Sequence, residues 1–261
     1  MIKVKNYFEN ENVNVEYSNQ DVGLKIVSFD RDLSVNPVTA QISYFMSKMN
    51  CKKRQAFIHF DGSRAWTTSP GSMLWMGSNV QAKTGINGVG DFFGKALKAS
   101  VTNEGAIKPE YSGVGCMALE PTYNFLIPID TREFGGAVVM NDGYYYCSTG
   151  CKVSVEMVNS LSGATLGNEG LFNCKCIGDG MVVLESDTPR EEFIEVELDN
   201  DVLKIDGNLA VCWTSGLQFT VERVTKTLIG SAASGEGLVN CYRGTGKVLM
   251  KMNKTPDGQR V

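Results

Sequence analysis

The stretch that decides the fold is Ser234-Gly235-Glu236-Gly237-Leu238-Val239-Asn240-Cys241, followed by Arg243-Gly244-Thr245-Gly246-Lys247-Val248-Leu249-Met250. A second version reads Gly167-Asn168-Glu169-Gly170-Leu171-Phe172-Asn173-Cys174, followed by Ile177-Gly178-Asp179-Gly180-Met181-Val182-Val183-Leu184. A fainter one runs Thr102-Asn103-Glu104-Gly105-Ala106-Ile107, then Ser112-Gly113-Val114-Gly115-Cys116-Met117-Ala118-Leu119. The Glu-Gly pairs begin at Glu104, Glu169 and Glu236, 65 and 67 residues apart. A second shared phrase lies upstream of each: Asn79-Val80-Gln81, Thr149-Gly150-Cys151-Lys152-Val153 and Ser215-Gly216-Leu217-Gln218-Phe219. Two matched phrases in one order, three times over, read as a triplicated unit.

The unit reads as β. Leu217, Phe219 and Val221 alternate with Gln218, Thr220 and Glu222, and Ile194, Val196 and Leu198 alternate with acids, the period of a strand with one buried face. The Gly178-Asp179-Gly180 and Gly244-Thr245-Gly246 phrases, set between apolar runs, predict hairpin turns. Helices are few. Asn36 caps and Pro37 opens a segment in which Val38, Ile42, Phe45, Met46 and Met49 form one apolar face. A second short helix is expected over Gly90–Ala99. The expected fold is all-β, with three tandem β-sandwich or short double-stranded β-helix modules and a few short helices. Residues 1–56 form an N-terminal strand and helix segment. The repeats occupy 57–126, 127–190 and 191–252, and 253–261 form a C-terminal tail.

Composition narrows the function. The 261 residues are 43% hydrophobic and 21% charged, with 25 Lys plus Arg against 29 Asp plus Glu, net −4. With a pI near 5.2, wholesale electrostatic binding to nucleic acid is disfavoured. Glycine stands at 28 residues and proline at 7, which favours tight turns over a disordered linker. One histidine, His59, excludes sites needing two. The start, Met1-Ile2-Lys3-Val4-Lys5-Asn6, lacks an apolar signal core, and no run reaches the ~20 apolar residues of a membrane-spanning helix. The expectation is a cytoplasmic chain whose eight cysteines are free thiols.

Candidate sites are weighed against plainer readings. Cys147, Cys151, Cys174 and Cys176 invite a zinc site, but Cys147 matches Cys212 and Cys174 matches Cys241, so these positions read as slots for a small apolar side chain. Glu104, Glu169 and Glu236 would form a threefold-like array able to hold a cation; the plainer reading is that each fixes its turn through glycine amides. Lys52-Lys53-Arg54 is the one dense basic run, and repeated around a ring it would suit single-stranded RNA. Phe92-Phe93, beside Lys95 and Lys98, would suit a membrane surface or partner. His59 enters a turn and reads as structural, with no nucleophile elbow nearby. No cofactor motif and no catalytic constellation are found, so the chain reads as a non-enzyme.

Gly235-Glu236-Gly237-Leu238 with Gly244-Thr245-Gly246-Lys247-Val248-Leu249-Met250, and Pro70-Gly71-Ser72-Met73 with Gly85-Ile86-Asn87-Gly88-Val89-Gly90, resemble the altered-inheritance-of-mitochondria family. The resemblance covers about residues 57–252, with Asn168, Asn103 and Ala106 departing from the phrase. It implies a fold like the tryptophan RNA-binding attenuation protein, with three modules per chain and three chains in a pseudo-ninefold ring. It implies no catalytic residues. Edge-strand reasoning points the same way, since modules in series leave two free ends that head-to-tail closure satisfies. The expected function is a homotrimeric, ring-like scaffold or binding protein, with a membrane surface or another protein as partner. The alternative is a ring that binds RNA or a small ligand.

Overall fold

Met181-Val182-Val183-Leu184 shows no polar alternation, the mark of a strand covered on both faces. The computed structural model, which describes residues 2–84, 108–157, 172–223 and 238–253, places this run at the centre of the molecule. The first elements are β1 (Val13–Asn19), β2 (Leu24–Phe29), helix α1 (Ala40–Lys48), β3 (Arg54–Asp61), β4 (Trp66–Thr68), β5 (Met73–Ser78) and β6 (Gln81–Lys83). Next come β7 (Glu110–Ser112), β8 (Val114–Leu119), β9 (Phe125–Asp130), β10 (Ala137–Met140), β11 (Tyr145–Thr149) and β12 (Lys152–Met157). The last are β13 (Phe172–Ile177), β14 (Met181–Ser186), β15 (Phe193–Asp206), β16 (Ala210–Thr214), β17 (Gln218–Arg223) and β18 (Leu238–Lys251). Short 3₁₀ turns occupy Thr131–Phe134 and Arg190–Glu192. The all-β class expected from the alternation is the class observed.

The strands form three antiparallel sheets: β1-β2-β3-β8-β5, then β6-β7-β4-β11-β14-β9, then β12-β13-β10-β16-β18-β15 with β17 also on β18. The six-stranded sheet lies between the others. On one side Trp66, Tyr146 and Val183 pack with Leu24, Ile26, Ile58 and Met117 of the five-stranded sheet. On the other, Tyr145, Val182 and Leu184 pack with Met140, Cys174, Cys212 and Leu249 of the seven-stranded sheet. Successive residues of β14 therefore serve opposite cores, as the two-residue period of a strand requires. Tyr144 and Tyr145 are buried in the second of these cores and Tyr146 in the first. The outer face of the five-stranded sheet is closed by Val4, Tyr7 and Phe8 over Phe57 and Ala118.

The Gly-x-Gly phrases are not hairpin turns. Gly113 separates β7 of the six-stranded sheet from β8 of the five-stranded one, and Gly178 to Gly180 separate β13 from β14, again in different sheets. Gly244 and Gly246 lie within β18, where one neighbour changes from β17 to β16. The first glycines share φ values of 125°, 129° and 123°, a conformation side chains rarely adopt. A Cβ on Gly113 would lie 2.1 Å from the Asn79 carbonyl oxygen, and one on Gly178 2.8 Å from that of Gly150. These phrases are corners at which the chain leaves one pairing for another. Sequence alone could not separate a corner from a hairpin, because both need positive φ.

Candidate interaction surface

Helix α1 forms largely as its sequence dictates. The Asn36 side-chain oxygen accepts from the Val38 and Thr39 amides at 2.9 and 3.0 Å, and regular α-helix begins at Ala40. At the other end Asn50 takes φ 60°. The Cys51 amide donates to the Met46 carbonyl at 2.9 Å and the Asn50 amide to that of Ser47 at 3.4 Å, a Schellman closure with asparagine at the left-handed position.

The apolar face of α1 points away from the protein. Val38 is 85% exposed, Ile42 62%, Phe45 58% and Met49 81%, and no residue of the helix is buried. Ser43, Met46 and Ser47 instead face the body, across a cleft of about 230 Å³ shared with Phe29, Tyr123 and the residues of the ion pairs beneath. Leu33, 65% exposed, extends the apolar surface. Lys48 is the one charged residue of α1. Of the five residues expected on one apolar face, Val38, Ile42, Phe45 and Met49 turn outward while Met46 turns to the body, and periodicity carries no sign of which way such a face turns.

The ground beneath α1 is ionic. Lys52 pairs with Asp30 at 2.8 Å, Lys53 with Asp32 at 2.7 Å, and Arg54 with Glu16 at 2.9 Å. The Lys52 ammonium, with the Asn14 amide, holds the Asp30 carboxyl below its ordinary range. Lys53 and the Tyr123 hydroxyl do the same for Asp32 against a smaller opposing effect of desolvation, and Tyr123 is pushed up to about 12 by burial and by that carboxylate. Arg54 is buried, donates to Asn50 and to the Lys52 carbonyl, and lies 4.1 Å over the Phe125 ring. The basic run is thus an internal fastener with each cation matched to a carboxylate, which argues against a basic rim for RNA. Its acidic complement, Asp30-Arg31-Asp32, was visible in the sequence on the far side of the α1 segment.

The remaining candidates separate. Glu104, Glu169, Glu236, Phe92, Phe93 and the second expected helix lie outside the described residues. His59 exposes its side chain; what it gives the fold is backbone, its amide donating to the Gly23 carbonyl at 2.8 Å. It borders a cleft of about 280 Å³ with Asp21, Asp61, Arg64 and Trp66. Ser63 there donates to Asp61 at 2.7 Å, a local turn contact, and not to an imidazole. Cys147, Cys174, Cys212 and Cys241 are fully buried, as slots for small side chains would be. Among the described residues no group of three or more His, Cys, Asp or Glu side chains is arranged to hold a metal ion.

A family profile described as mitochondrial biogenesis AIM24 matches residues 48–252. The chain belongs to the AIM24 family. The match takes in β3 to β18 and begins at the last residue of α1, so Val38, Ile42 and Phe45 of the exposed apolar face precede the AIM24 region and Met49 lies just within it. An uncharacterised protein of Streptococcus pyogenes serotype M6 is 25% identical over 189 residues, 69% of this chain and 74% of its own length. A structural-genomics crystal structure of a Streptococcus pyogenes protein has a similar fold, with TM-score 0.55 at 23% identity over 78% of this chain and 89% of that one. Among the described residues of this AIM24 chain, no helix is long and apolar enough to cross a membrane.

Proposed function

We propose that this AIM24 protein is a non-enzymatic scaffold that assembles as a ring-like homotrimer, with the outward face of α1 as a contact between copies. The observation that carries the reading is the exposure of Val38, Ile42, Phe45 and Met49 on one stripe of a well-closed helix. An apolar stripe that the chain's own core does not use marks a surface for association. A second copy is favoured as its occupant because α1 carries one charge, whereas attachment to an anionic membrane draws on a cationic polar face. The alike φ values of Gly113, Gly178 and Gly244 support three equivalent corners, and hence the triplication on which a ring is built. Eight free cysteines fit work in a reducing compartment such as the cytoplasm.

Native mass spectrometry of gently purified full chain, with the 260/280 nm absorbance ratio read alongside, tests the reading. Assembly predicts a species of three times 28.5 kDa with protein-like absorbance. A monomer would overturn the ring, and raised 260 nm absorbance with added mass would replace the scaffold with a nucleic-acid binder. Co-flotation of the monomer with phosphatidylcholine vesicles would replace the second copy with a lipid surface.

A further inference from the structure

On the outer face of the five-stranded sheet Lys25 pairs with Phe57, Phe57 with Ala118, and Ala118 with Trp75. Residues directly opposite in antiparallel pairs share a face, so these four form one row across β2, β3, β8 and β5. Gln55 shares that face two residues along β3, and Gly77 two residues along β5. The first residues of the chain lie over this row as a strap. Phe8 meets Phe57 edge to face, with ring centroids 5.1 Å apart, and lies beneath the Lys25 ammonium at 4.3 Å. The Tyr7 hydroxyl donates to Gln55 Oε1 at 2.6 Å. Gln55, 4% exposed, is itself fixed by donating to the Leu119 carbonyl at 2.7 Å. Gly77 does not take positive φ, so its backbone does not require glycine; a Cβ there would run into Ile2 Cδ1.

The seat is matched to its occupant at separate points: a notch for Ile2, a ring and a cation for Phe8, and one buried acceptor for Tyr7. An occupant that brought no donor would leave the Gln55 oxygen buried and unpaired, which costs more than lost apolar contact alone. The chemistry that fits is that of residues 2–8, and every copy of the chain carries it. The strap forms no strand; the first ladder pair of this sheet is Val13 with Phe29. It is joined to β1 through Glu9 to Asn12, where Glu9 and Glu11 are exposed. The root of the strap is firmly held. The Asn12 carbonyl accepts from the Asp30 amide at 2.8 Å, and the Asn12 side chain exchanges bonds of 3.0 and 2.8 Å with the Arg31 backbone. Asp30 and Asp32, on either side of Arg31, are the carboxylates paired with Lys52 and Lys53 beneath α1. The root therefore stands beside the helix that brings a neighbouring copy close.

We propose that the outer face of the five-stranded sheet is a docking seat for residues 2–8 of a second copy, so that neighbouring chains exchange their straps. The contacts at Gly77, Phe57, Lys25 and Gln55 are the same whether the strap comes from its own chain or from a neighbour. Exchange therefore loses nothing at the seat, and assembly supplies the high effective concentration that holds a neighbour's strap in place. The inference rests on the association through α1 and adds a second joint to it. The helix brings copies together by an apolar stripe, and the strap then ties them through matched side chains.

The test is photo-cross-linking of the full chain carrying Phe8→p-benzoylphenylalanine, with native mass spectrometry of the same sample before irradiation. The expected product runs at twice the chain mass in denaturing gels, and peptide mapping joins position 8 of one chain to the Phe57 or Lys25 peptide of another. Should that variant fail to fold, Val4→p-benzoylphenylalanine reads the same seat from beside it, since Val4 packs on the same face. In a sample that is trimeric before irradiation, cross-links confined to single chains would overturn the exchange and leave the α1 contact standing. A two-chain product mapped away from the seat would do the same. A sample that is monomeric before irradiation would overturn both.

Discussion

Strand β14 and helix α1 carry apolar residues at similar density and use them in opposite ways. In β14, Met181, Val182, Val183 and Leu184 are all buried, shared between two cores. In α1, Ile42 and Phe45 lie in solvent while Ser43 and Ser47 face the protein. Apolar surface removed from water stabilises by roughly 25 cal/mol per Å², so β14 holds the fold together. The stripe on α1 contributes little to folding and stays free to be covered by something else. The same chain thus contains a segment that explains its stability and one that explains its association.

The contrast breaks first at β14. Leu184→Ala removes a fully buried side chain and is expected to cost about 2–5 kcal/mol, measured by urea denaturation. A cost under about 1 kcal/mol would mean that the middle layer is loosely packed. Next come the corners. Gly178→Ala forces a Cβ to within 2.8 Å of a carbonyl oxygen at φ 129°, whereas at Gly244 the nearest atom is the end of the Leu217 side chain at 3.7 Å. Strain alone costs of order 1–3 kcal/mol, so Gly178→Ala should lie at or above the top of that range and Gly244→Ala near its foot. Equal losses would show that conformation, not close approach, governs these corners.

These corners also show what the sequence could convey. The β class was legible because Leu217, Phe219 and Val221 alternate with polar residues, and the buried side of that alternation holds for Leu217 and Val221. The middle sheet was less legible. A run such as Tyr144-Tyr145-Tyr146 signals burial on both faces without saying which layers cover it, because pairing across sheets depends on residues far apart in the chain. At the candidate surface the helix and its cap were legible from Asn36, Pro37 and the apolar spacing. Its orientation was not, since it depends on Lys52 and Lys53 reaching Asp30 and Asp32 beneath it. Lys52-Lys53-Arg54 looked like free charge for the same reason: its partners lie at least twenty residues earlier.

A smaller effect is expected at the surface of β17. Glu222, about one-third exposed, pairs with Arg243 at 2.6 Å; that guanidinium and the Thr220 hydroxyl lower its carboxyl from 4.5 to about 2. With the folded value depressed, the unfolded chain binds more protons between about pH 4.5 and pH 2. The stabilisation is therefore present above about pH 4.5 and lost as pH falls toward 2. Solvent screening limits it to about 0.5 kcal/mol, so Glu222→Gln should flatten the acid limb of the stability profile only slightly. An unchanged limb would show that the pair contributes nothing.

The smallest effect on stability belongs to the segment with the largest expected effect on association. The most direct measurement compares wild type with the Ile42→Glu/Phe45→Glu double variant by native mass spectrometry and thermal unfolding. The account predicts a wild-type assembly of three chains, a variant reduced to single chains, and a variant Tm, read on dilute monomer, within about 2 °C of wild type. A wild-type monomer, or a variant that stays trimeric, would contradict the claim that α1 is the contact between copies.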